Sequence, residues 1–303
     1  MINKLKEIVG QKNVYLNEAM SKHTTFKVGG PADIFVVPQD IEQVRQVVEL
    51  CKSSKENYYI IGKGSNLLVG DKGFRGIIVC MYNTLDKVEV IQDNEEYMVV
   101  AGAGVMLSKL ANVILENSLT GFEFASGIPG TLGGAVAMNA GAYGGEIKDC
   151  IVEVTVLDDE GNIRTLGVSE LDLSYRNSII LKKGYVVLEA KFRFEKGNYE
   201  DIKGKMLELN MKRKEKQPLE YPSAGSTFKR PEGYFAGKLI MDSGLAGFSI
   251  GGAQVSEKHC GFVINKDSAT AADIIELMKQ VDEIVYKNYN VHLEPEVRII
   301  GEF

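Results

Sequence analysis

The sequence has few of the residues from which metal and redox sites are built. Its 303 residues include three histidines (His23, His259 and His292) and four cysteines, with no HExxH or CxxC motif among them. Zinc sites need such ligands at short, regular spacings, so catalysis by zinc is not expected. Four cysteines are also too few for a disulfide framework, which predicts reduced, buried thiols in a cytoplasmic protein.

Long apolar runs and an excess of positive charge are missing as well. No segment approaches the roughly 18 consecutive apolar residues of a membrane helix, and charged residues interrupt 1–10, so neither a membrane anchor nor a secretion signal is expected. Lys and Arg number 35 against 41 Asp and Glu, a net charge of −6, which argues against nucleic acid as a partner. The composition, 45% hydrophobic and 25% charged, is typical of a globular protein with two or three domains.

The hydrophobic periodicity changes along the chain and predicts three domains. Residues 1–80 have an α/β pattern, 81–197 are β-rich, and 198–296 return to an α/β pattern. Residues 297–303 are predicted to form a C-terminal strand that returns to the first domain.

Local signals place the main elements. Asp40 with Gln43, and Thr270 with Asp273, have the spacing of capping boxes at helix starts. The turn 158–162 indicates a hairpin. The predicted helices are 41–51, 107–117, 199–214 and one that begins at Thr270; the predicted strands are 58–61, 77–79, 87–91, 97–101, 151–157 and 185–194.

Glycine is concentrated in two loops. Eight of the 32 glycines lie between Gly121 and Gly145, where loops are expected to dominate over regular elements, and a shorter loop, 62–66, follows a predicted strand. Neither loop completes a GxGxxG motif and no GxxxxGK[ST] occurs, so the sequence supports neither a Rossmann domain nor a P-loop. Such loops still expose backbone N–H groups that can bind a pyrophosphate. The shorter loop alone would be a tight turn, whereas the small, almost uncharged residues of 126–144 favour the close approach of a large, flat ligand.

Six motifs in this order closely resemble the UDP-N-acetylenolpyruvoylglucosamine reductase (MurB) family. They are GKGSNLL (62–68), GIPGTLGGA (127–135), NAGAYG (139–144), SYRNS (174–178), PSAGSTFKRP (222–231) and LEPEVR (293–298). The resemblance extends from about Thr24 to Arg298. Arg176 and Ser226 are only 50 residues apart, as in the shorter form of the family that lacks the tyrosine-lid insertion.

The resemblance implies an α+β fold: a three-domain FAD-binding flavoenzyme of the vanillyl-alcohol-oxidase and p-cresol-methylhydroxylase type, with a C-terminal α/β substrate domain. Its cofactors would be NADPH and FAD, the FAD noncovalent because neither glycine-rich loop contains His or Cys. The residues that match the family's cofactor-binding positions are Gly62, Gly64, Ser65, Asn66, Leu67, Gly130, Thr131, Gly133, Gly134, Asn139 and Gly141.

The same resemblance implies a catalytic set of Arg176, Ser226 and Glu296. NADPH would reduce FAD, and hydride addition to the enolpyruvyl ether would push negative charge onto the substrate carboxylate. Arg176 would hold that carboxylate, a protonated Glu296 would donate a hydrogen bond, and Ser226 would protonate the α-carbon. Taken alone, these residues would be an ion-pair partner, a turn residue and a strand-end carboxylate; their motifs favour the catalytic roles.

The sequence also predicts residues that contact the substrate, and it leaves two alternatives to the implied function. Tyr175, Lys229 and Arg230 are predicted to contact the substrate, while Lys212–Lys214 are predicted to be the exposed end of a helix. The function implied is the NADPH-dependent reduction of enolpyruvyl-UDP-N-acetylglucosamine to UDP-N-acetylmuramate, in peptidoglycan precursor synthesis, by a cytoplasmic monomer. The alternatives are an FAD-dependent oxidase or dehydrogenase acting on another small molecule, and a flavin- or sugar-nucleotide-binding module without turnover.

Overall fold

A computed structural model describes residues 1–93 and 96–303. Its α-helices are α1 (Ile2–Val9), α2 (Ile41–Ser53), α3 (Leu107–Glu116), α4 (Leu132–Ala137), α5 (Val168–Leu171), α6 (Ile179–Lys183), α7 (Tyr199–Lys216), α8 (Ala236–Asp242) and α9 (Ala271–Tyr289). Short 3-10 helices occupy Gln11–Asn13, Met20–Lys22, Glu123–Ala125 and Ile147–Asp149.

The strands account for most of the remaining regular structure. They are β1 (Val14–Ala19), β2 (Pro31–Val36), β3 (Tyr58–Ile61), β4 (Leu67–Val69), β5 (Phe74–Cys80), β6 (Val88–Asp93), β7 (Glu96–Gly102), β8 (Leu119–Thr120), β9 (Gly141–Ala142), β10 (Gly145–Glu146), β11 (Ile151–Leu157), β12 (Ile163–Gly167), β13 (Val186–Lys196), β14 (Ser249–Ile250), β15 (Ala253–Val255), β16 (Val263–Asn265) and β17 (Arg298–Ile300). The predicted helices and strands are therefore present, with ends displaced by a few residues.

The described residues group into two compact units. The first unit comprises Met1–Tyr15, Phe35–Gly62 and Ile77–Arg213, and the second comprises Leu16–Ile34, Lys63–Gly76 and Lys214–Phe303. The division into domains at residues 80, 197 and 296 stays a prediction.

The first unit is built on an antiparallel sheet with strand order β12-β11-β13-β7-β6. The alternation predicted for β13 is present, because Phe192 and Phe194 are buried while Arg193 between them is exposed. Phe122 packs edge-on against both phenylalanines, with ring centroids 5.8 and 5.9 Å away. The predicted hairpin joins β11 to β12, and Asp158 Oδ1 closes its turn by accepting the Asn162 N–H at 2.8 Å.

The start of α2 shows half of the predicted capping box. Asp40 Oδ1 accepts the Gln43 N–H at 2.8 Å, but Gln43 Oε1 accepts the N–H of Gln39, not that of Asp40. The Gln43 side chain therefore accepts from the residue that precedes the N-cap, whereas in a capping box it would accept from the N-cap residue itself.

The second unit contains the antiparallel strands β14-β15-β16 and a parallel pair formed by β4 and β17. Helix α9 begins with the predicted capping box between Thr270 and Asp273. The Asp71 carboxylate also accepts the first two helical N–H groups, at 2.8 and 2.9 Å. An acceptor from the β4–β5 loop thus satisfies N–H groups that would otherwise lack partners.

Two expectations about the glycine-rich region and its surroundings are corrected. Residues 132–137 form helix α4, so this part of the loop is regular. Arg213 is only 9% exposed, because the side of α7 that carries it is buried, so 212–214 are not uniformly an exposed helix end.

The expectation for the cysteines agrees with the structure. The cysteines are free and buried, as predicted, and burial raises the pKa of the Cys51 thiol to about 11. Among residues 1–93 and 96–303, no helix is both long enough and apolar enough to cross a membrane.

Candidate functional site

In the first unit the two glycine-rich motifs meet. Gly62 directly follows β3, and a Cβ on Gly62 would lie 1.9 Å from Thr131 Oγ1. Thr131 is buried and immediately precedes α4. Only glycine can occupy position 62 without displacing Thr131, so the contact between the two motifs depends on the missing side chain.

Helix α4 packs against the protein on one side and is exposed on the other. The Gly133 N–H donates to the Ala103 carbonyl at 2.8 Å, and a Cβ on Gly133 would lie 3.1 Å from the Ala103 Cβ. Gly134 is exposed, and a Cβ there would meet nothing within 4 Å. The backbone at Gly134 can therefore be approached closely by a ligand.

Asn139 organises the loop that follows α4. Its side chain is fully buried, with Nδ2 donating to Glu146 Oε2 at 2.7 Å and to the Ser174 carbonyl at 3.2 Å. Its Oδ1 accepts the Lys148 N–H at 3.0 Å. Because both amide hydrogens are used within the protein, a cofactor contact at Asn139 would come through its backbone.

Arg176 lies at the third position of a tight turn closed by hydrogen bonds between Ser174 and Asn177. Its φ of +54° is in the left-handed region that non-glycine residues seldom adopt. The guanidinium lies 5.0 Å from the Tyr175 ring centroid, and Nη2 donates to the Gly141 carbonyl at 3.4 Å. The turn thus joins three residues of the predicted site: Tyr175, Arg176 and Gly141.

Sequence reasoning missed Arg213, which belongs to the same region. Burial lowers the pKa of its guanidinium, and a hydrogen bond with the side chain of Tyr143, in the NAGAYG motif, acts in the opposite direction. A Cβ on Gly127 would lie 3.2 Å from Arg213 Nε. The signal available in the sequence was the helical spacing from Ile202, Met206 and Leu209, which places Arg213 on the buried side of α7.

The second unit contains the rest of the shorter glycine-rich motif. Gly64 has a φ of +64°, and a Cβ on it would lie 2.0 Å from the His23 carbonyl oxygen, so this position also requires glycine. Ser65 and Asn66 are partly exposed, and Leu67 is buried in β4. Asn66 Nδ2 donates to the carbonyl oxygen of Glu296 at 3.1 Å.

The segments carrying Ser226 and Glu296 pair with each other in this unit. Phe228 and Pro295 form an antiparallel bridge, and the Glu296 N–H donates to the Thr227 carbonyl at 2.8 Å. Thr227 is fully buried, whereas Ser226 is exposed and Glu296 is partly buried. The two predicted catalytic residues are therefore held at neighbouring positions of one backbone pair.

The predicted substrate contacts Lys229 and Arg230 follow Phe228 in the same extended segment. Lys229 Nζ is 2.9 Å from Glu294 Oε2, and the Lys229 N–H donates to the Glu294 carbonyl at 2.8 Å. The Arg230 guanidinium lies 3.9 Å from the centroid of the Phe235 ring. Hydrogen bonding with Lys229 lowers the pKa of the Glu294 carboxyl.

Each unit carries its own set of polar groups. In the first unit, the guanidinium of Arg176 lies against the Gly141 carbonyl, and a guanidinium suits anion binding. In the second unit, the hydroxyl of Ser226 and the carboxyl of Glu296 belong to paired segments, and either group can take part in proton transfer. In the part of the chain that the structure describes, no three His, Cys, Asp or Glu side chains are grouped to hold a metal ion.

Comparisons with known proteins agree with this arrangement. Residues 32–167 match the family model described as an FAD binding domain, and 217–300 match that of the UDP-N-acetylenolpyruvoylglucosamine reductase C-terminal domain. The UDP-N-acetylenolpyruvoylglucosamine reductase of Lachnoclostridium phytofermentans is 58% identical, covering 100% of this chain and 97% of the relative. That of Agathobacter rectalis is 54% identical over 100% of this chain and 98% of the relative.

A solved structure gives the same result for the fold. The crystal structure of the enzyme from Thermus caldophilus has a TM-score of 0.78 and 32% identity, covering 95% of this chain and 98% of that one. The predicted fold class and the resemblance are both confirmed. The chain belongs to the UDP-N-acetylenolpyruvoylglucosamine reductase family.

Proposed function

We propose that this protein is an FAD- and NADPH-dependent oxidoreductase that reduces enolpyruvyl-UDP-N-acetylglucosamine to UDP-N-acetylmuramate for peptidoglycan synthesis. Within the structure, the observation that carries the proposal is the hydrogen bond from the Glu296 N–H to the Thr227 carbonyl, which sets Glu296 next to the segment of Ser226. Full-length similarity to reductases of this name supports the same reaction.

The described residues fit an FAD molecule. At Gly62 and Gly64 a side chain would collide with the protein, while Gly134 leaves open space above its backbone. Glycine at 62 and 64 permits the tight backbone of this loop, a kind of loop whose N–H groups can bind a pyrophosphate, and the open backbone at Gly134 could accept a flat ring. The proposed cofactor contacts are Gly62, Gly64, Ser65, Asn66, Leu67, Gly130, Thr131, Gly133, Gly134, Asn139 and Gly141. When bound, FAD would supply the chemistry of taking a hydride from NADPH and delivering it to the β-carbon of the enolpyruvyl group.

The protein's own residues would then stabilise charge and supply a proton. Addition of hydride to the β-carbon leaves an electron pair that is delocalised from the α-carbon onto the carboxylate. Arg176 would bind that carboxylate through its guanidinium, and a protonated Glu296 would donate a hydrogen bond to it. The Ser226 hydroxyl, which is exposed, would give its proton to the α-carbon and complete the lactyl ether. Tyr175, Lys229 and Arg230 would contact the rest of the substrate.

A two-step flavin titration tests the reaction against its rivals. Purified protein should be yellow, lose its flavin absorbance anaerobically with NADPH, and regain it when enolpyruvyl-UDP-N-acetylglucosamine is added. An oxidase or dehydrogenase of another substrate would stay reduced after that addition. A binding module would not be reduced by NADPH.

We further propose that the protein acts as a monomer in the cytoplasm. The hydrophilic substrates and the net charge of −6 are compatible with this assignment. Sedimentation of the purified protein at several concentrations tests the oligomeric state, and fractionation of cells tests the location.

A further inference from the structure

Arg176 has a backbone conformation that few residues with a side chain adopt. Its φ of +54° lies in the left-handed region, and so does the φ of the fully buried Asn139, at +43°. Residues other than glycine keep such conformations only where surrounding contacts hold them. The contacts that hold the turn of Arg176 therefore help to place its guanidinium.

Hydrogen bonds hold this turn at both ends. The Ser174 carbonyl, two residues before Arg176, accepts from Asn139 Nδ2 at 3.2 Å. Ser178 Oγ, two residues after Arg176, donates to the Ala137 carbonyl at 2.5 Å, and Ser178 is fully buried. The position of the turn therefore depends on the residues that follow α4.

Glu146 contacts this arrangement at two places. Its Oε2 accepts from Asn139 Nδ2 at 2.7 Å, which fixes the amide that binds the Ser174 carbonyl. Its side chain also covers Gly141, because β9 pairs with β10 and a Cβ on Gly141 would lie 2.7 Å from Glu146 Cγ. The Gly141 carbonyl in turn accepts from Arg176 Nη2. The Glu146 side chain thus supports both the backbone of the turn and the partner of the guanidinium.

The other contacts of Glu146 are less demanding. Lys148 Nζ lies 3.1 Å from Oε2, and the Glu146 side chain accepts the Asp149 N–H at the start of a 3-10 helix. The Glu146 side chain is 33% exposed, and ion pairs open to solvent contribute little to stability. The cap and the ion pair need only a carboxylate at this position, whereas the bond to Asn139 needs a side chain long enough to reach it.

We propose that Glu146 is a positioning residue that places the Arg176 guanidinium for the substrate carboxylate, acting through Asn139 and Gly141. The inference rests on the proposed function, because that function gives Arg176 a carboxylate to bind. Glu146 takes no part in the chemical step. The reaction depends on the length of its side chain and not on its charge.

Two conservative variants separate the length of the side chain from its charge. Glu146→Gln keeps an oxygen within reach of Asn139 without the charge, and Glu146→Asp keeps the charge on a side chain shorter by a methylene group. Enolpyruvyl-UDP-N-acetylglucosamine should reoxidise the flavin of Glu146→Gln at nearly the wild-type rate and that of Glu146→Asp at least about tenfold more slowly. Equal rates in the two variants, or the opposite order, would overturn the proposal.

Lys148→Met is the matched control for the charge. It removes the ion pair with Glu146 and leaves the hydrogen bond between Glu146 and Asn139 in place. Its reoxidation should proceed at the wild-type rate. A loss as large as that of Glu146→Asp would contradict the proposal, because it would assign the effect to the ion pair.

A double-mutant cycle tests whether Glu146 acts through Arg176. Glu146→Asp should slow reoxidation at least about tenfold in the wild type and less than about twofold in Arg176→Ala, where the guanidinium is already absent. A purely structural role of Glu146 would slow reoxidation by the same factor in both backgrounds. Equal factors would therefore exclude the positioning role.

Ligand affinity gives a readout that does not need turnover. UDP-N-acetylmuramate carries a carboxylate, and UDP-N-acetylglucosamine lacks it. In calorimetry on the oxidised holoenzyme, Glu146→Asp should bind UDP-N-acetylmuramate at least about fivefold more weakly than the wild type and keep its affinity for UDP-N-acetylglucosamine. Equal weakening of both ligands would indicate a general distortion of the site and contradict the proposal.

The two proposals can fail separately. If the reduced wild-type enzyme is not reoxidised by enolpyruvyl-UDP-N-acetylglucosamine, the proposed reaction is wrong whatever the Glu146 variants show. If the wild type is reoxidised and Arg176→Ala is equally fast, the role of Arg176 is wrong and the positioning role of Glu146 is wrong with it. If Arg176→Ala is slow and Glu146→Asp is as fast as the wild type, only the positioning role is wrong.

Discussion

Asn66 donates a hydrogen bond from Nδ2 to the carbonyl oxygen of Glu296, at 3.1 Å and across 230 residues of sequence. Beside it, the Arg298 N–H donates to the Asn66 carbonyl at 3.0 Å, and β4 then pairs in parallel with β17. A residue proposed to contact the cofactor therefore fixes the backbone of a residue proposed to act on the substrate. Both residues belong to the second unit.

Removing this link should affect substrate reduction more than flavin reduction. Asn66→Ala loses one side-chain hydrogen bond, and we expect the free energy of unfolding to fall by about 1 kcal/mol. Because the Glu296 carbonyl would lose one of the two hydrogen bonds that hold this backbone, reoxidation of the flavin by enolpyruvyl-UDP-N-acetylglucosamine should slow while reduction by NADPH is kept. Stopped-flow absorbance measures both half-reactions.

Asn265→Ala is the matched control for Asn66→Ala. Asn265 also lies in the second unit and donates from Nδ2 to a backbone carbonyl, that of Phe26, at the same distance of 3.1 Å. It should lower stability without slowing reoxidation selectively. If the two variants behave alike in both half-reactions, the link between Asn66 and Glu296 has no role in catalysis.

Signals that depend on neighbours in sequence predicted the fold well. The capping box of Thr270 and Asp273 and the alternation along β13 are determined by spacings of two to three residues, and both are present. The glycine-rich stretch was less predictable. Its glycines lower helix propensity, yet packing of Gly133 against Ala103 stabilises α4 in the folded chain.

Contacts between distant segments could not be predicted from the residues alone. The approach of Gly62 to Thr131 and the bond between Asn66 and Glu296 depend on how strands pair, which no local pattern encodes. The resemblance supplied the identities of these residues without their contacts. The burial of Arg213 was missed because charge was given more weight than its helical position.

Gly134 tests whether the open side of α4 holds the cofactor. Gly134→Ala adds a methyl group where nothing lies within 4 Å, so the protein without FAD should be stabilised by about 0.5 to 1 kcal/mol, as expected for alanine in a helix. If FAD lies over this backbone, its affinity should fall at least about tenfold. Flavin absorbance after dialysis, together with thermal unfolding of the protein without FAD, measures both effects.

Gly204→Ala is the corresponding control. Gly204 is also a helical glycine, in α7, and its added Cβ would likewise meet nothing within 4 Å. This variant should gain similar stability and retain FAD fully. An unchanged FAD affinity in Gly134→Ala would show that the cofactor does not approach Gly134.

The contact between Gly62 and Thr131 should appear as a coupling energy. In Gly62→Ala the new Cβ would lie 1.9 Å from Thr131 Oγ1, and overpacking of this kind costs about 1 to 3 kcal/mol. Adding Thr131→Ala removes Oγ1 and leaves a closest Cβ contact of 3.1 Å, so the double variant should recover part of the loss. Urea unfolding of the wild type, the two single variants and the double variant gives the double-mutant cycle. If the changes in the free energy of unfolding are purely additive, Gly62 and Thr131 are not in contact.

Ser226→Ala should separate the two half-reactions. The variant keeps the exposed backbone position but lacks the hydroxyl that is proposed to protonate the α-carbon. We expect NADPH to reduce the flavin at the wild-type rate and reoxidation by substrate to slow by about 10² to 10⁴, the contribution typical of general acid catalysis. Ser226→Cys, which retains a proton donor, should recover part of the rate. Equal loss of both half-reactions in Ser226→Ala would exclude the proton-donor role.

His259 should make stability fall as the solution becomes mildly acidic. Burial lowers the pKa of this imidazole from its usual value, and the positive charge of Lys216 acts in the same direction. The unfolded chain then binds a proton at higher pH than the folded chain, so stability is complete above about pH 6.5 and decreases as the pH falls through the folded-state pKa. The Gly261 N–H donates to Nδ1 at 3.1 Å, and this acceptor is lost when the ring is protonated. Urea unfolding between about pH 7.5 and about pH 5.5 should show a slope that His259→Gln reduces; the same slope in both proteins would mean that other groups cause the dependence.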